Sequence, residues 1–129
     1  MNAVAVPEAP AQAASAGTNQ TAGARRIARE FERARADGRI ALIPYVVAGY
    51  PDAETSLRVA QAAIDAGADL LEVGLPYSDP LADGATLQRA SQVALAAGAT
   101  LHGSLRLIER IAASRSSVPI VPMGYANQF

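Results

Sequence analysis

Two residue types that carry much of enzyme chemistry are absent from this sequence. The 129-residue chain has no cysteine, which excludes disulfides, zinc-thiolate sites and thiol nucleophiles. It also has no lysine, because all 11 basic residues are arginines, so it cannot form a Schiff base with pyridoxal phosphate or a carbonyl substrate. His102 is the single histidine, which argues against a Ser-His triad and a two-histidine metal site. We therefore predict chemistry based on carboxylates, phenols, hydroxyls and backbone amides, with no metal and no cofactor.

A strong charge of either sign and a long apolar run are also missing. The 12 acidic residues nearly balance the basic ones, which argues against binding to nucleic acid or to an anionic membrane. Glycine, proline and aspartate interrupt every apolar stretch well short of the ~18 residues of a transmembrane helix. Residues 1–24 are mostly small and polar and resemble neither a secretory signal nor a transit peptide, so we predict a disordered Ala-rich tail and a cytoplasmic location. A docking arm is the alternative for this tail.

The rest of the chain alternates between helical and strand-like patterns of apolar residues. A short amphipathic helix is predicted over residues 25–37, followed by strands over 40–47, 69–74 and 118–123. Helical stretches separate them at 52–65, 87–97 and 104–114, which is typical of βαβ units with a parallel sheet. The turn at 49–52 lacks the glycine-rich phosphate loop of many doubly wound sheets. Residues 25–129 are therefore predicted to be an α/β domain, the first three βα units of a TIM (β/α)8 barrel that appears truncated, since a complete barrel needs ~250 residues.

Glu72 is the anomalous residue of the second predicted strand. Its neighbours in the strand are apolar, and alternation places Leu71 and Val73 on one face and Glu72 on the other. If Leu71 and Val73 pack against outer helices, Glu72 projects into the barrel mouth, at the end where active sites of such barrels lie. A strand-end glutamate paired with an arginine is the alternative.

A second acid, Asp83, follows eleven residues later in the loop of residues 75–84. Pro76 and Pro80 stiffen this loop, and a stiff loop that holds an acid over a barrel mouth suits acid–base chemistry. The alternative is that Asp79 and Asp83 form turns or cap the next helix, as aspartates often do.

Four segments together resemble a known family. The run LEVGLPYSDPLADG at 71–84, with PYVVAGYP at 44–51, DAGADLLE at 65–72 and PMGYAN at 122–127, is similar to the tryptophan synthase alpha chain. The resemblance covers roughly residues 25–129. It implies a (β/α)8 barrel that cleaves indole-3-glycerol phosphate to indole and glyceraldehyde 3-phosphate in tryptophan biosynthesis. It also implies a partner beta chain, which uses pyridoxal phosphate to join indole to serine, in an alpha2beta2 heterotetramer.

The resemblance assigns roles to particular residues. Glu72 would be the general acid–base acting at indole C3 and at the glycerol hydroxyl, and Asp83 would hold the indole N–H. Tyr45 and Tyr125 would line the indole pocket, and plain core packing is the alternative for both tyrosines. The loop that communicates with the beta chain would include Pro76, Asp79 and Pro80. His102 receives no role.

Strands four to eight of such a barrel, and the phosphate site that they carry, have no counterpart in these 129 residues. We therefore expect little or no lyase activity from the 129 residues alone. The alternative function is a non-catalytic truncated product, or an interaction fragment that docks on the beta chain. Another phosphosugar barrel, such as an isomerase or aldolase, would share the fold but not the run at 71–84.

Overall fold

The structure, a computed structural model, describes residues 21–115 and 117–128. Three strands form one parallel sheet in the order β1-β2-β3. The elements in chain order are α1 (Ala22–Ala36), β1 (Tyr45–Val47), α2 (Ala53–Asp65), β2 (Leu71–Gly74), α3 (Ala85–Ala96), α4 (Leu101–Ser114), β3 (Ile120–Met123) and a short 3-10 helix (Ala126–Gln128). All the predicted strands and helices are present, and their bounds differ from the predictions by a few residues.

Side-chain caps mark the starts of three helices, α1, α2 and α4. The Thr21 side chain accepts a hydrogen bond from the Ala24 N–H, so α1 begins at Ala22 and includes residues predicted to be tail. The remainder of the predicted tail, residues 1–20, lies outside the described residues. Helix α4 begins three residues before the prediction, because the Thr100 hydroxyl accepts a 3.0 Å hydrogen bond from the Gly103 N–H.

The first strand is shorter than predicted and is not covered on both faces. Pro44 has no N–H to donate to a neighbouring strand, and regular pairing begins only at Tyr45. The segment before it is apolar but poorly covered, with Ile40 90% exposed and Leu42 53% exposed. The prediction of a strand is therefore wrong for residues 40–44.

The hydrophobic core lies between one face of the sheet and two helices. Leu71 and Val73 of β2 are fully buried there. They belong to a cluster that includes Leu57, Ala60 and Ile64 of α2 and Leu107 and Ile111 of α4. The predicted alternation is confirmed, since β2 turns these two side chains toward the helices. The opposite face of the sheet, called the open face below, carries Glu72.

A cluster of ion pairs around the buried Asp69 lies at the amino end of β2. Asp69 is fully buried, and its carboxylate accepts two 2.7 Å hydrogen bonds from Arg39, a 3.2 Å bond from Arg33 and a 2.8 Å bond from the Leu42 N–H. The Arg39 guanidinium and the backbone donor hold the pKa of Asp69 well below its usual range. The cluster ties α1 and the segment before β1 to the start of β2. Sequence analysis did not identify it.

Candidate active site

Tyr45 and Glu72 are neighbours on the open face of the sheet. The two residues are paired in the register of β1 and β2, and Val121 of β3 is the next partner in line. The Tyr45 ring passes over Gly74, where a Cβ would overlap the phenol oxygen. A glycine at this position of β2 therefore makes room for the tyrosine at the carboxyl end of the strands.

Asp83 lies with Tyr45 and Tyr125 around a common hollow. This hollow has a volume of about 250 Å³ and is formed by the ends of β1 and β3 and by residues 75–84, the β2–α3 loop. Its apolar wall includes Leu75, Leu87 and Met123. Glu72 does not line the hollow. It is paired in the strand register with Tyr45, which does line it. Three of the four residues predicted to act on substrate thus share one hollow, and the fourth adjoins it.

The charges around the Tyr45 phenol affect its pKa. Partial burial raises its pKa, and the negative charges of Asp83 and Glu72 raise it further, with a smaller contribution from Tyr125. Both carboxylates therefore act on one side chain, although one comes from a strand and the other from a loop. The arrangement places two groups able to carry protons beside an apolar wall, as acid–base chemistry on an aromatic substrate requires.

The structure also bears on the alternatives for the two acids. Within residues 21–115 and 117–128, neither Glu72 nor Asp83 forms an ion pair. Asp83 does not cap α3 either, because the residue at the start of that helix is Gly84 and no side chain caps it. Both carboxylates are half-buried. Neither an ion pair nor a helix cap accounts for these carboxylates in the described part of the chain, although Asp83 does lie in a turn, since its N–H donates to the Pro80 carbonyl.

Tyr125 also connects two loops. Its hydroxyl accepts a 3.0 Å hydrogen bond from the Ala82 N–H, next to Asp83. Its ring stacks on Tyr77, with the ring centres 5.0 Å apart. Core packing alone does not describe Tyr125, because its hydroxyl holds the β2–α3 loop.

Two amide side chains strengthen this connection. Gln128 donates from Nε2 to the Pro76 carbonyl at 3.1 Å, and its Oε1 accepts from the Tyr125 N–H at 2.9 Å. Asn127 donates from Nδ2 to the Tyr77 hydroxyl. Sequence analysis assigned no role to Tyr77, Asn127 or Gln128. Tyr77 and Asn127 lie inside the motifs that carry the family resemblance, and this position was the one sequence signal that could have identified them.

The three residues predicted to contact a partner differ in their surroundings. Pro76 and Pro80 are buried, while Asp79 is exposed and accepts a 2.7 Å hydrogen bond from the Ser78 hydroxyl. Leu81, between them and Asp83, is 90% exposed. The prolines shape the β2–α3 loop, and Asp79 and Leu81 are part of its accessible surface.

Two further observations concern metal and membrane. No group of three or more potential metal ligands occurs in the described residues. In the same part of the chain, no helix has both the length and the apolar character needed to cross a bilayer. His102 is exposed in the first turn of α4 and does not line the hollow.

Comparison with known proteins decides the family. A family model described as the tryptophan synthase alpha chain matches residues 31–129. The chain belongs to the tryptophan synthase alpha chain family. The alpha chain of Roseiflexus castenholzii is 54% identical over 104 residues, which are 81% of this chain and 40% of that relative. The alpha chain of Dechloromonas aromatica is 49% identical over 102 residues, 79% of this chain and 38% of the relative.

Solved structures of alpha chains share the fold. A crystal structure of tryptophan synthase from M. tuberculosis matches with a TM-score of 0.73 and 40% identity, covering 80% of this chain and 41% of that chain. Tryptophan synthase subunit alpha from Legionella pneumophila matches with a TM-score of 0.75 and 34% identity, covering 80% and 39%. The predicted fold class is confirmed, since the described βα units are those of a (β/α)8 barrel. The chain spans about 40% of the length of the curated alpha chains that it matches.

Proposed function

We propose that this chain contributes Glu72, Asp83 and the indole pocket to a lyase of the tryptophan synthase alpha type. The reaction is the retro-aldol cleavage of indole-3-glycerol phosphate to indole and glyceraldehyde 3-phosphate. The observation that carries the proposal is the shared hollow, which brings Asp83 together with Tyr45 and Tyr125 beside Glu72. Membership of the alpha chain family supports the choice of substrate.

The carboxylates divide the chemistry between them. Glu72, protonated, delivers a proton to indole C3, which makes the ring an electron sink. As a carboxylate it then takes the proton from the glycerol hydroxyl next to that carbon. The C–O bond becomes an aldehyde, the carbon–carbon bond breaks, and its electron pair restores the indole ring. Asp83 accepts a hydrogen bond from the indole N–H and stabilises the positive charge that develops on the ring. Tyr45 and Tyr125 provide the walls of the pocket.

The rest of the active site must come from outside the residues present here. Barrels of this class bind the substrate phosphate near their last strands and a helix N-terminus. Without that binding energy, the two carboxylates are not held against the reacting carbons. We therefore expect catalysis from a polypeptide or assembly that completes the barrel, and little or none from the 129 residues alone.

The decisive test uses the protein that contains this chain within a complete barrel. Glu72→Gln keeps the size of the side chain and removes its proton chemistry, so indole release from indole-3-glycerol phosphate should fall about hundredfold or more. Glu109→Gln, an exposed change on α4, is the matched control and should leave the rate unchanged. A wild-type rate for Glu72→Gln would refute the assignment.

We also propose a beta chain as partner, in an alpha2beta2 assembly, with the accessible surface of the β2–α3 loop at the contact. Asp79 and Leu81 support this choice, because an acidic and an apolar side chain are exposed beside the site. A cytoplasmic location follows from the biosynthetic role. Mixing the chain with a beta chain and following size-exclusion elution tests the contact: co-elution that Asp79→Arg weakens is expected, and separate elution contradicts it. Co-elution without lyase activity in the complete barrel would favour the interaction fragment.

A further inference from the structure

Gln88 closes the turn that carries Asp83. From the first turns of α3, its Nε2 donates to the Asp83 carbonyl at 2.9 Å and to the Pro80 carbonyl at 3.3 Å. The Asp83 N–H donates to the same Pro80 carbonyl at 3.0 Å. One half-buried amide therefore holds both ends of the turn on which Asp83 sits.

The Asp83 turn has few other supports. Its neighbours Leu81, Ala82 and Gly84 are exposed, and no side chain caps the following helix. Within the described residues the Asp83 carboxylate makes no ion pair that would anchor it. Within the described residues, the other hydrogen bond that joins this turn to the rest of the site runs from the Ala82 N–H to the Tyr125 hydroxyl.

We propose that Gln88 is a positioning residue for Asp83. It fixes the backbone of the Asp83 turn and thereby directs the carboxylate into the hollow shared with Tyr45 and Tyr125. The importance of this role for catalysis rests on the function proposed above, but the positioning itself can be measured without it. Gln88 touches no reacting atom in this account.

The chemistry of the amide suggests a discriminating pair of variants. Gln88→Glu has nearly the same shape, but at neutral pH its carboxylate cannot donate and would face two carbonyl oxygens. Gln88→Leu removes the donor without adding charge. Gln92, one helical turn later and exposed, offers the matched control Gln92→Glu with the same change of charge.

Amide hydrogen exchange on the 129-residue chain measures the positioning. At pH 7 we expect Gln88→Glu and Gln88→Leu to lower the protection of the Ala82 and Asp83 amides about tenfold, and Gln92→Glu to change it less than twofold. Near pH 4 the introduced carboxyl becomes protonated and can donate one hydrogen bond, so Gln88→Glu should regain protection while Gln88→Leu should not. Equal protection in the wild type and Gln88→Leu would overturn the proposal, even if Gln88→Glu failed to fold.

Indole release by the completed barrel supplies the functional readout. Gln88→Glu is expected to lower kcat/KM about tenfold at neutral pH, with Gln92→Glu unchanged. Full activity of Gln88→Glu despite lost protection would overturn the link between Gln88 and catalysis. If the wild type releases no indole while the exchange results are as expected, the proposed function fails and the positioning role of Gln88 stands.

Discussion

Asp69 and Glu72 lie three residues apart on the same segment and have opposite surroundings. Asp69 accepts hydrogen bonds from two arginines and a backbone amide, whereas Glu72 has no ion-pair partner in the described part of the chain. A half-buried carboxylate without an ion-pair partner adds little to stability, and its oxygens remain available to a ligand. The residue chosen from the sequence for chemistry is therefore the one that the fold leaves unpaired.

Asp69→Asn should lower the free energy of unfolding by about 2 kcal/mol at pH 7, because the buried side chain loses its charge-assisted bonds to Arg39 and Arg33. The pKa of Asp69 is lowered in the folded state, so its stabilisation is present above the unfolded carboxyl pKa of about 3.9 and is lost as the pH falls below that value. Urea unfolding from pH 7 to pH 3 should show the difference between wild type and variant shrinking with acid.

Asp37→Asn is the control for this prediction. Asp37 contacts the same Arg39 at 3.4 Å, but its side chain is 54% exposed, and surface ion pairs contribute little. A loss of stability as large as that of Asp69→Asn, or a difference for Asp69→Asn that grows toward pH 3, would contradict the account of the buried cluster.

At the scale of elements, hydrophobic patterns predicted which helices and strands exist, while single side chains set several of their boundaries. Helix α2 lies where the sequence predicts it, with Asp52 capping its start and the left-handed Gly67, at a φ of +102°, following its end. The early starts of α1 and α4 follow from threonine caps that hydrophobic periodicity does not register. Boundaries set by single side-chain hydrogen bonds were the less predictable part.

Contacts between distant segments were beyond local patterns. Asp69 was included in the second predicted strand without a role of its own, because its partner Arg39 is 30 residues away in the sequence. The bond from Gln128 to Pro76 spans 52 residues and joins two loops. Residue spacing within a single helix or strand does not indicate contacts between residues that are so far apart in the sequence. By contrast, the sequence alone indicates Glu72 and Asp83 as candidates, because a charge in an apolar strand and an acid in a stiff loop are visible anomalies.

Thr100→Ala tests the cap of α4. Loss of the hydrogen bond from the Gly103 N–H to the Thr100 hydroxyl should lower the free energy of unfolding by about 1 kcal/mol, measured by urea denaturation. Thr86→Ala, at an exposed position inside α3, is the comparison and should change stability by less than about 0.5 kcal/mol. Equal effects of the two substitutions would show that the cap does not determine the start of α4.

For the molecule as a whole, the two ends of the sheet differ in how their carboxylates are paired. At the amino end of β2 the paired carboxylate of Asp69 fastens α1 to the sheet. At the carboxyl end, Glu72 and Asp83, which form no ion pair within the described residues, lie around the Tyr45 phenol. This arrangement fits the proposed function, because (β/α)8 barrels usually carry stability residues at one end of the strands and reacting groups at the other.

The most direct test of this account is the titration of the Tyr45 phenol, followed by NMR of its labelled ring carbon. In the wild type its pKa should lie above the ordinary value of about 10. Glu72→Gln and Asp83→Asn should each lower that pKa, because each removes a negative charge that opposes the phenolate. Asp79→Asn, in the same loop but outside the hollow, should leave it unchanged. An identical titration in the wild type and in both Glu72→Gln and Asp83→Asn would mean that the two acids do not converge, and would contradict the proposed site.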